Sequence, residues 1–295
     1  MAPPTPRILL IGGHGKVSLL MTPKILSRSW NLTSIIRNPD QKSDILEAGK
    51  NGPGKLDVLL ESIEDVKSDD DAKKILDKVK PDWVIWSAGM STHLPHHRPT
   101  MKLGWIYANV VCDDTGAGGK GGPSRTNAID RDACIHFIHS SIATPSITKF
   151  LLVSALSIRR GRASWFDDDS YDLMIKVNTE VMPAYYKAKL AADEVLTVLG
   201  EERKGFGYIS LRPGALTDEP ETGKVVLGRT KARGSVSRGD VAEVAVRLLE
   251  REGVKGWFDL LGGEEELGSE VDRVLKEGVD SRDGESLEVM KENIV

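Results

Sequence analysis

The sequence has little cysteine, no long hydrophobic run and no block of like charge. Its two cysteines, Cys112 and Cys134, lack metal-ligand spacing and build no disulfide framework, so a reducing compartment is expected. Lysines and arginines (40) are interspersed with aspartates and glutamates (44), giving a formal net charge of -4. Without a basic patch, no direct contact with nucleic acid is expected. The opening MAPPTPRILLIGG carries only a five-residue apolar run, too short for a signal-peptide core or a membrane span. The expectation is a cytoplasmic protein with no membrane partner.

What the chain does have is a repeated alternation. Apolar, strand-like runs fall at 7–11, 32–37, 56–61, 82–87, 149–154, 207–212 and 255–261, with helix-like segments between most of them. Near-continuous apolar strands alternating with helices predict a parallel sheet covered on both faces, an α/β doubly wound fold. Such a sheet places its ligand at the carboxyl ends of the strands. The reading is a single α/β domain over 1–265 with small C-terminal substrate-side elements. Residues 266–295 are read as one acidic helix and a frayed tail.

The first strand runs into GGHGKVS, where Gly12, Gly15 and Ser18 are spaced G-x-x-G-x-x-S ahead of a helix. Glycines let the turn bend and let backbone amides approach a pyrophosphate at the helix N-terminus. Gly12, Gly13, His14, Gly15, Lys16 and Val17 are therefore candidate cofactor-binding residues. After the second strand, where an NAD-binding chain usually presents an acid to the ribose hydroxyls, the sequence reads Ile36-Arg37-Asn38. A guanidinium there suits a 2′-phosphate, so NADP(H) is the expected cofactor.

In PAYYKAKLAADE, Tyr185 and Lys189 are spaced i and i+4 and share one helix face. That helix, the glycine turn, Arg37-Asn38-Pro39, and above all LRPGALTDEPETGKVVLG followed by GSVSRGDVAEVAVRLLE carry a family resemblance. From residue 7 to about 265, one segment apart, the chain resembles the atypical branch of the short-chain dehydrogenase/reductase superfamily, including its NmrA-like members and epimerase-like relatives. The resemblance implies that 1–265 is an NAD(P)-binding Rossmann-type domain of doubly wound parallel sheet, with a site of Ser, Tyr, Lys and a fourth polar residue. Tyr185 would act as general acid to a carbonyl oxygen, with Lys189 lowering its pKa and holding the nicotinamide ribose. In the serine's usual place stand Ala155 and Leu156, so Ser154 or Ser157 would have to serve. Asp130, in NAIDRDAC, fits the fourth place, though an Asp beside Arg131 is also an ordinary surface charge. Ala88 and Gly89 follow the fourth strand on the nicotinamide side, and Pro213 and Gly214 open the loop that passes over the nicotinamide in such folds. Ser237, with Asp240 at N3, reads as a helix N-cap and scaffold.

The segment outside the resemblance is MSTHLPHHRPTMKLGWIYANVVCDDTG, residues 90–116, too long for a compact connection. His93, His96 and His97 have no accompanying Cys or carboxylate pattern, so no metal is expected. Removing the segment rejoins WSAG to AGGKGGPS. Its possible codons include donor-like, branch-site and acceptor-like sequences, and its 27 residues span 81 nucleotides in frame. The hypothesis is a translated, retained intron, the other reading being a real insertion beside the cofactor site. Sequencing the spliced message decides, and a message that always keeps these nucleotides excludes the intron.

Three functions are consistent with the reading. One is an NADPH-dependent oxidoreductase acting on a small carbonyl substrate. Another is a non-catalytic NADP(H)-sensing regulator of a protein partner, and the third an epimerase or dehydratase. The short C-terminal remainder disfavours the sugar-nucleotide substrates of the third.

Overall fold

The computed structural model of the chain describes residues 5–89 and 122–294. The intron hypothesis, His93, His96, His97 and Cys112 all lie outside the described residues.

All seven expected strands are present. They are β1 (Arg7–Ile11), β2 (Asn31–Ile36), β3 (Leu56–Leu60), β4 (Trp83–Trp86), β5 (Lys149–Val153), β6 (Gly207–Pro213) and, last, Lys255–Gly262. Four short strands escaped the sequence reading: β7 (Ala215–Thr217), β8 (Lys224–Gly228), β9 (Ser235–Ser237) and β11 (Glu265–Glu266), which makes Lys255–Gly262 β10. β7, β9 and β11, with two or three residues each, lack a run long enough to show a period, and β8 sets only three apolar residues between Lys224 and Gly228. The main sheet has the order β11-β8-β10-β6-β5-β4-β1-β2-β3. It is parallel from β3 to β10, while β8 pairs antiparallel with β10 and with β11. β7 and β9 form a separate parallel pair.

The strands are apolar at successive positions because both faces are covered. Ile8, Leu10, Ile85, Leu151 and Ile209 point into one buried cluster, and Leu9, Ile11, Val84, Trp86, Phe150 and Leu152 into the other. Neighbours in one strand face opposite ways, so each strand serves two cores. Helices Lys16–Ser27 and Arg238–Glu250 cover the first face, Cys134–Ala143 and Pro183–Glu202 the second. Ser237 caps Arg238–Glu250 as expected, its hydroxyl accepting from the Asp240 amide at 3.0 Å. Asp240 additionally accepts from the amides of Thr222 and Gly223, fixing the loop ahead of β8.

The C-terminal reading needs correcting. Helix Leu267–Glu277 is present, but the tail beyond it does not fray: Ser286 caps a further helix, Leu287–Asn293, whose Met290 is buried beside Ile158, Leu190 and Trp257. Between the two helices, the carbonyls of Ser281 and Asp283 accept from Arg159, and the Asp280 carboxylate accepts from the Trp257 amide. Charge made the tail look solvated, whereas backbone groups and one methionine fasten it. Among the described residues, no helix is long and apolar enough to cross a membrane.

Candidate functional site

The glycine turn lies where β1 meets its helix. Gly12 has φ +85°, and a Cβ there would stand 2.7 Å from the backbone N and Cα of Ala88. Two chain segments thus meet at the carboxyl edge of the sheet with room for hydrogen only. Gly13 donates its amide to the Ile35 carbonyl at 2.9 Å, and its missing Cβ would fall on the Ser34 hydroxyl. Gly15 is the N-cap of Lys16–Ser27 and contributes no side chain, and the first turn holds no acidic residue. The positive end of that helix is thereby left to a ligand, which fits a pyrophosphate.

The neighbouring side chains divide by role. Val17 is buried in the core, so only its backbone serves the turn. His14 meets Asp44 at 2.8 Å. Lys16 reaches Asp218 at 2.7 Å, and that carboxylate also accepts from Arg238. The Lys16 hydrogen bond, with Arg238 nearby, holds the Asp218 carboxyl below its ordinary pKa. Arg37, at the end of β2, is half exposed and donates to Glu64, which Arg125 also meets, through Nε at 2.9 Å and Nη2 at 2.8 Å. Arg125 was not foreseen, because nothing in its local sequence ties it to β2.

Lys189, on helix Pro183–Glu202, is 3% exposed, and its Nζ lies 2.9 Å from Asp130 Oδ1, itself 1% exposed. The ammonium also donates to the Val153 carbonyl at 3.2 Å and lies 5.8 Å from the centre of the Tyr185 ring. Burial alone would lower the lysine's pKa, but Asp130 and Tyr185 outweigh it and the pKa is raised. Lys189 is therefore a fixed cation. Asp130 belongs to a π-helical turn, Asn127–Ala133, that leads into Cys134–Ala143, so it is not the surface charge its Arg131 neighbour suggested. Gly89 lies directly over this pair, since its Cβ would come within 2.8 Å of Asp130 Oδ1 and 3.5 Å of Lys189 Nζ. The end of β4, Asp130 and Lys189 thus converge on one point.

Two other candidate groups lie elsewhere. Ser154 is buried with its hydroxyl donating to Asp193 Oδ2 at 2.7 Å, and Ser157 donates to the Ala232 carbonyl at 3.0 Å. Both hydroxyl protons are thus given to acceptors other than Tyr185. Asp193 also accepts from Ser210 at 2.6 Å and from Arg212 at 2.9 Å, and Arg212 pairs with Asp259 at 3.0 Å and covers Trp257 at 4.0 Å. Burial, opposed by Arg212, raises the pKa of both Asp193 and Asp259, the latter to about 6. A hydroxyl donor was the cheapest way to satisfy a carboxylate so buried. Pro213 is buried, with its carbonyl accepting from the Leu156 amide. Gly214 is crowded by the Gly234 carbonyl and Leu261, so here the glycine answers to packing.

Asp193 is the member that sequence reasoning missed, although it stands at i+4 from Lys189 on the same helix face. Asn178, on a second π-helical turn (Val177–Val181), donates to the Ser157 carbonyl at 2.9 Å, and its buried Oδ1 has no hydrogen-bond partner among the described residues.

Comparison with known proteins bears on the fold and the family. The UPF0659 protein C216.03 of Schizosaccharomyces pombe is 27% identical over 260 residues, covering 86% of this chain and 89% of that protein. A solved Bacillus halodurans structure, described provisionally as an NAD-dependent epimerase/dehydratase, superposes with TM-score 0.64 at 22% identity over 91% of this chain and 99% of the other. The oxidoreductase ylbE of Lactococcus lactis superposes with TM-score 0.60 at 17% identity over 92% and 97%. At such identities the two structures speak for the fold. The NAD(P)H-binding family model matches residues 12–252, from the glycine turn through the helix that ends the sixth crossover, and the chain belongs to that family, within the atypical short-chain dehydrogenase/reductase branch.

Proposed function

We propose that the chain is an NADPH-dependent oxidoreductase acting on a small carbonyl substrate. The observation that carries this reading is the buried Lys189 ammonium, held by Asp130 beneath Gly89 and 5.8 Å from the Tyr185 ring. A bound reduced nicotinamide would supply the hydride. Tyr185 gives its phenolic proton to the carbonyl oxygen, and Lys189 stabilises the phenolate that this leaves. The turn Gly12–Val17 presents amides to the pyrophosphate, while Ala88 and Gly89 form the floor on the nicotinamide side. Arg37 contributes a cation for the 2′-phosphate, and the preference for NADPH rests on it.

Fluorescence titration with NADPH and NADH tests the cofactor assignment. Arg37→Ala is expected to weaken NADPH by about ten- to a hundredfold, since a charge-assisted hydrogen bond contributes about 1.5–3 kcal/mol. NADH binding should barely respond, and equal affinity of the native chain for both cofactors refutes the assignment. Tyr185→Phe tests the chemistry: turnover of small aldehydes and ketones should drop by at least about a hundredfold, with cofactor affinity nearly unchanged. One observation favours a second reading, a cofactor-sensing regulator without turnover. The hydroxyl of Ser154 is committed to Asp193, which leaves no serine from this strand end to polarise a carbonyl. Under that reading the chain binds NADPH and Tyr185→Phe changes nothing.

A further inference from the structure

We infer that Arg125 is a second residue for the cofactor's 2′-phosphate, beside Arg37, and that Glu64 is the anion which this phosphate displaces from the two guanidiniums. This rests on the reading of NADPH as the cofactor and deepens it, adding a second cation and an internal competitor for both.

The carboxyl edge of the sheet brings the three side chains together. The Gly13 amide donates to the Ile35 carbonyl at 2.9 Å, so the glycine turn lies against the end of β2, just ahead of Arg37. Asn38 fixes the chain beyond it, its side chain accepting from the Asp40 amide at 3.0 Å. The Glu61 amide donates to the Ile36 carbonyl at 3.0 Å and sets the end of β3 beside that of β2. The short 3₁₀ turn Ile63–Asp65 then carries Glu64 to Arg37, and the helical turn Gly122–Thr126 brings in Arg125 from beyond β4. Glu61, the other glutamate of this strand end, meets Lys78 at 3.0 Å instead.

The sharing of hydrogen bonds is what points to a larger anion. Arg37 Nη1, Arg125 Nε and Arg125 Nη2 all donate to one atom, Glu64 Oε1. A carboxylate oxygen offers about two lone pairs, so three N–H groups converge on an acceptor that serves two well. A phosphate monoester brings three terminal oxygens and a charge of about −1.5 to −2 at neutral pH. In acceptors and in charge it suits two guanidiniums better than one carboxylate does. Glu64 is also easily displaced, because Arg37 is 54% exposed and Glu64 and Arg125 are each 34% exposed, and ion pairs in contact with water are weak. The hydroxyl that NADH carries in place of the phosphate has no charge with which to displace a carboxylate. The cluster therefore selects by exchanging one anion for another.

The test is fluorescence titration of the full chain with NADPH and with NADH at one ionic strength, for the native protein, Arg125→Ala, Glu64→Gln and the double variant. Arg125→Ala should weaken NADPH by at least about tenfold and leave NADH nearly unchanged. Glu64→Gln should tighten NADPH by about two- to fivefold, the strength of an exposed ion pair, again with little effect on NADH. Losing Arg125 also leaves Glu64 to act on Arg37 alone, and the double variant separates that indirect effect from direct contact. In the Glu64→Gln background, Arg125→Ala should still weaken NADPH by about tenfold. Disappearance of the loss in that background overturns the inference. So does a Glu64→Gln variant that weakens NADH without tightening NADPH, which makes Glu64 an acceptor for ribose hydroxyls. Should Arg125→Ala fail to fold, Arg125→Gln, which keeps the length of the side chain, replaces it with the same expectation. The parent reading fails differently. If Arg37→Ala weakens NADPH but Arg125→Ala does not, only the second cation falls; if the native chain binds both cofactors alike, the NADPH assignment falls and this inference with it.

Discussion

Gly12 joins cofactor turn and sheet, and its contribution separates into two parts. Replacing it with alanine imposes a left-handed backbone on a residue with a Cβ, at about 1–2 kcal/mol. It also drives that Cβ to 2.7 Å from the backbone of Ala88, where no side-chain rotation gives relief. Overpacking of that kind costs about 1–3 kcal/mol. Alanine stiffens the unfolded chain and recovers about 0.4–1 kcal/mol, leaving a net loss of about 3 kcal/mol. Gly205 supplies the control, with φ +76° and nothing within 4 Å of its would-be Cβ. Gly205→Ala carries only the backbone part, about 1 kcal/mol. Urea unfolding of the three proteins without cofactor should therefore place Gly12→Ala about 2 kcal/mol below Gly205→Ala. The gap should come with loss of NADPH binding in Gly12→Ala only, because the segment that gives way carries Ala88 and Gly89. Equal losses in the two variants would refute the close approach of the glycine turn to the end of β4, and with it the placement of the cofactor floor.

Two further outcomes are expected of the buried Asp193–Arg212–Asp259 network. Ser154→Ala should cost about 1–3 kcal/mol, the cost of leaving a buried carboxylate one donor short, while turnover per folded molecule stays within about twofold, as structural roles predict; a steep fall in turnover with stability intact returns Ser154 to the chemistry. The second concerns pH. Asp259 is raised by burial to about 6, above the ordinary 3.8, so between about 4 and 6 the folded chain holds a proton that the unfolded chain has lost. Its contribution to stability is thus full at the acid end and declines as pH rises through that window. Asp259→Asn removes this slope, and urea midpoints at about pH 4.5 and 7 should lie closer together in the variant than in the native chain. A native midpoint that rises with pH, by an amount Asp259→Asn does not alter, contradicts this.

What could be read from the sequence and what could not divide along a physical line. The central strands β1, β4 and β5 were legible because each serves two cores and so writes a nearly unbroken apolar run. The glycine turn was legible because a tight bend at a helix start admits few residue types. β7, β9 and β11 fall below the length at which periodicity exists, β8 offers only three apolar residues between Lys224 and Gly228, and Arg37 and Arg125 meet at Glu64 only through tertiary folding.

The site shows the same division within a single helix. Spacing placed Tyr185 and Lys189 together, because i and i+4 contacts are local. It placed Asp193 beside Lys189 equally well, yet the sequence does not say which carboxylate the lysine takes. The fold decides by supplying partners. Arg212, Ser154 and Ser210 converge from β6 and the end of β5 onto Asp193, while Asp130 arrives on a π-helical turn beside Lys189 alone. A π turn inserts a residue into the helical register and rotates the next turn of the helix, which is how a residue that reads as surface charge comes to be 1% exposed. Ser154 presents the complementary case. Asp193, buried with Arg212, accepts from the hydroxyl within reach, so the case for a structural Ser154 comes from a carboxylate one turn beyond Lys189 and from nothing written in the strand-end sequence.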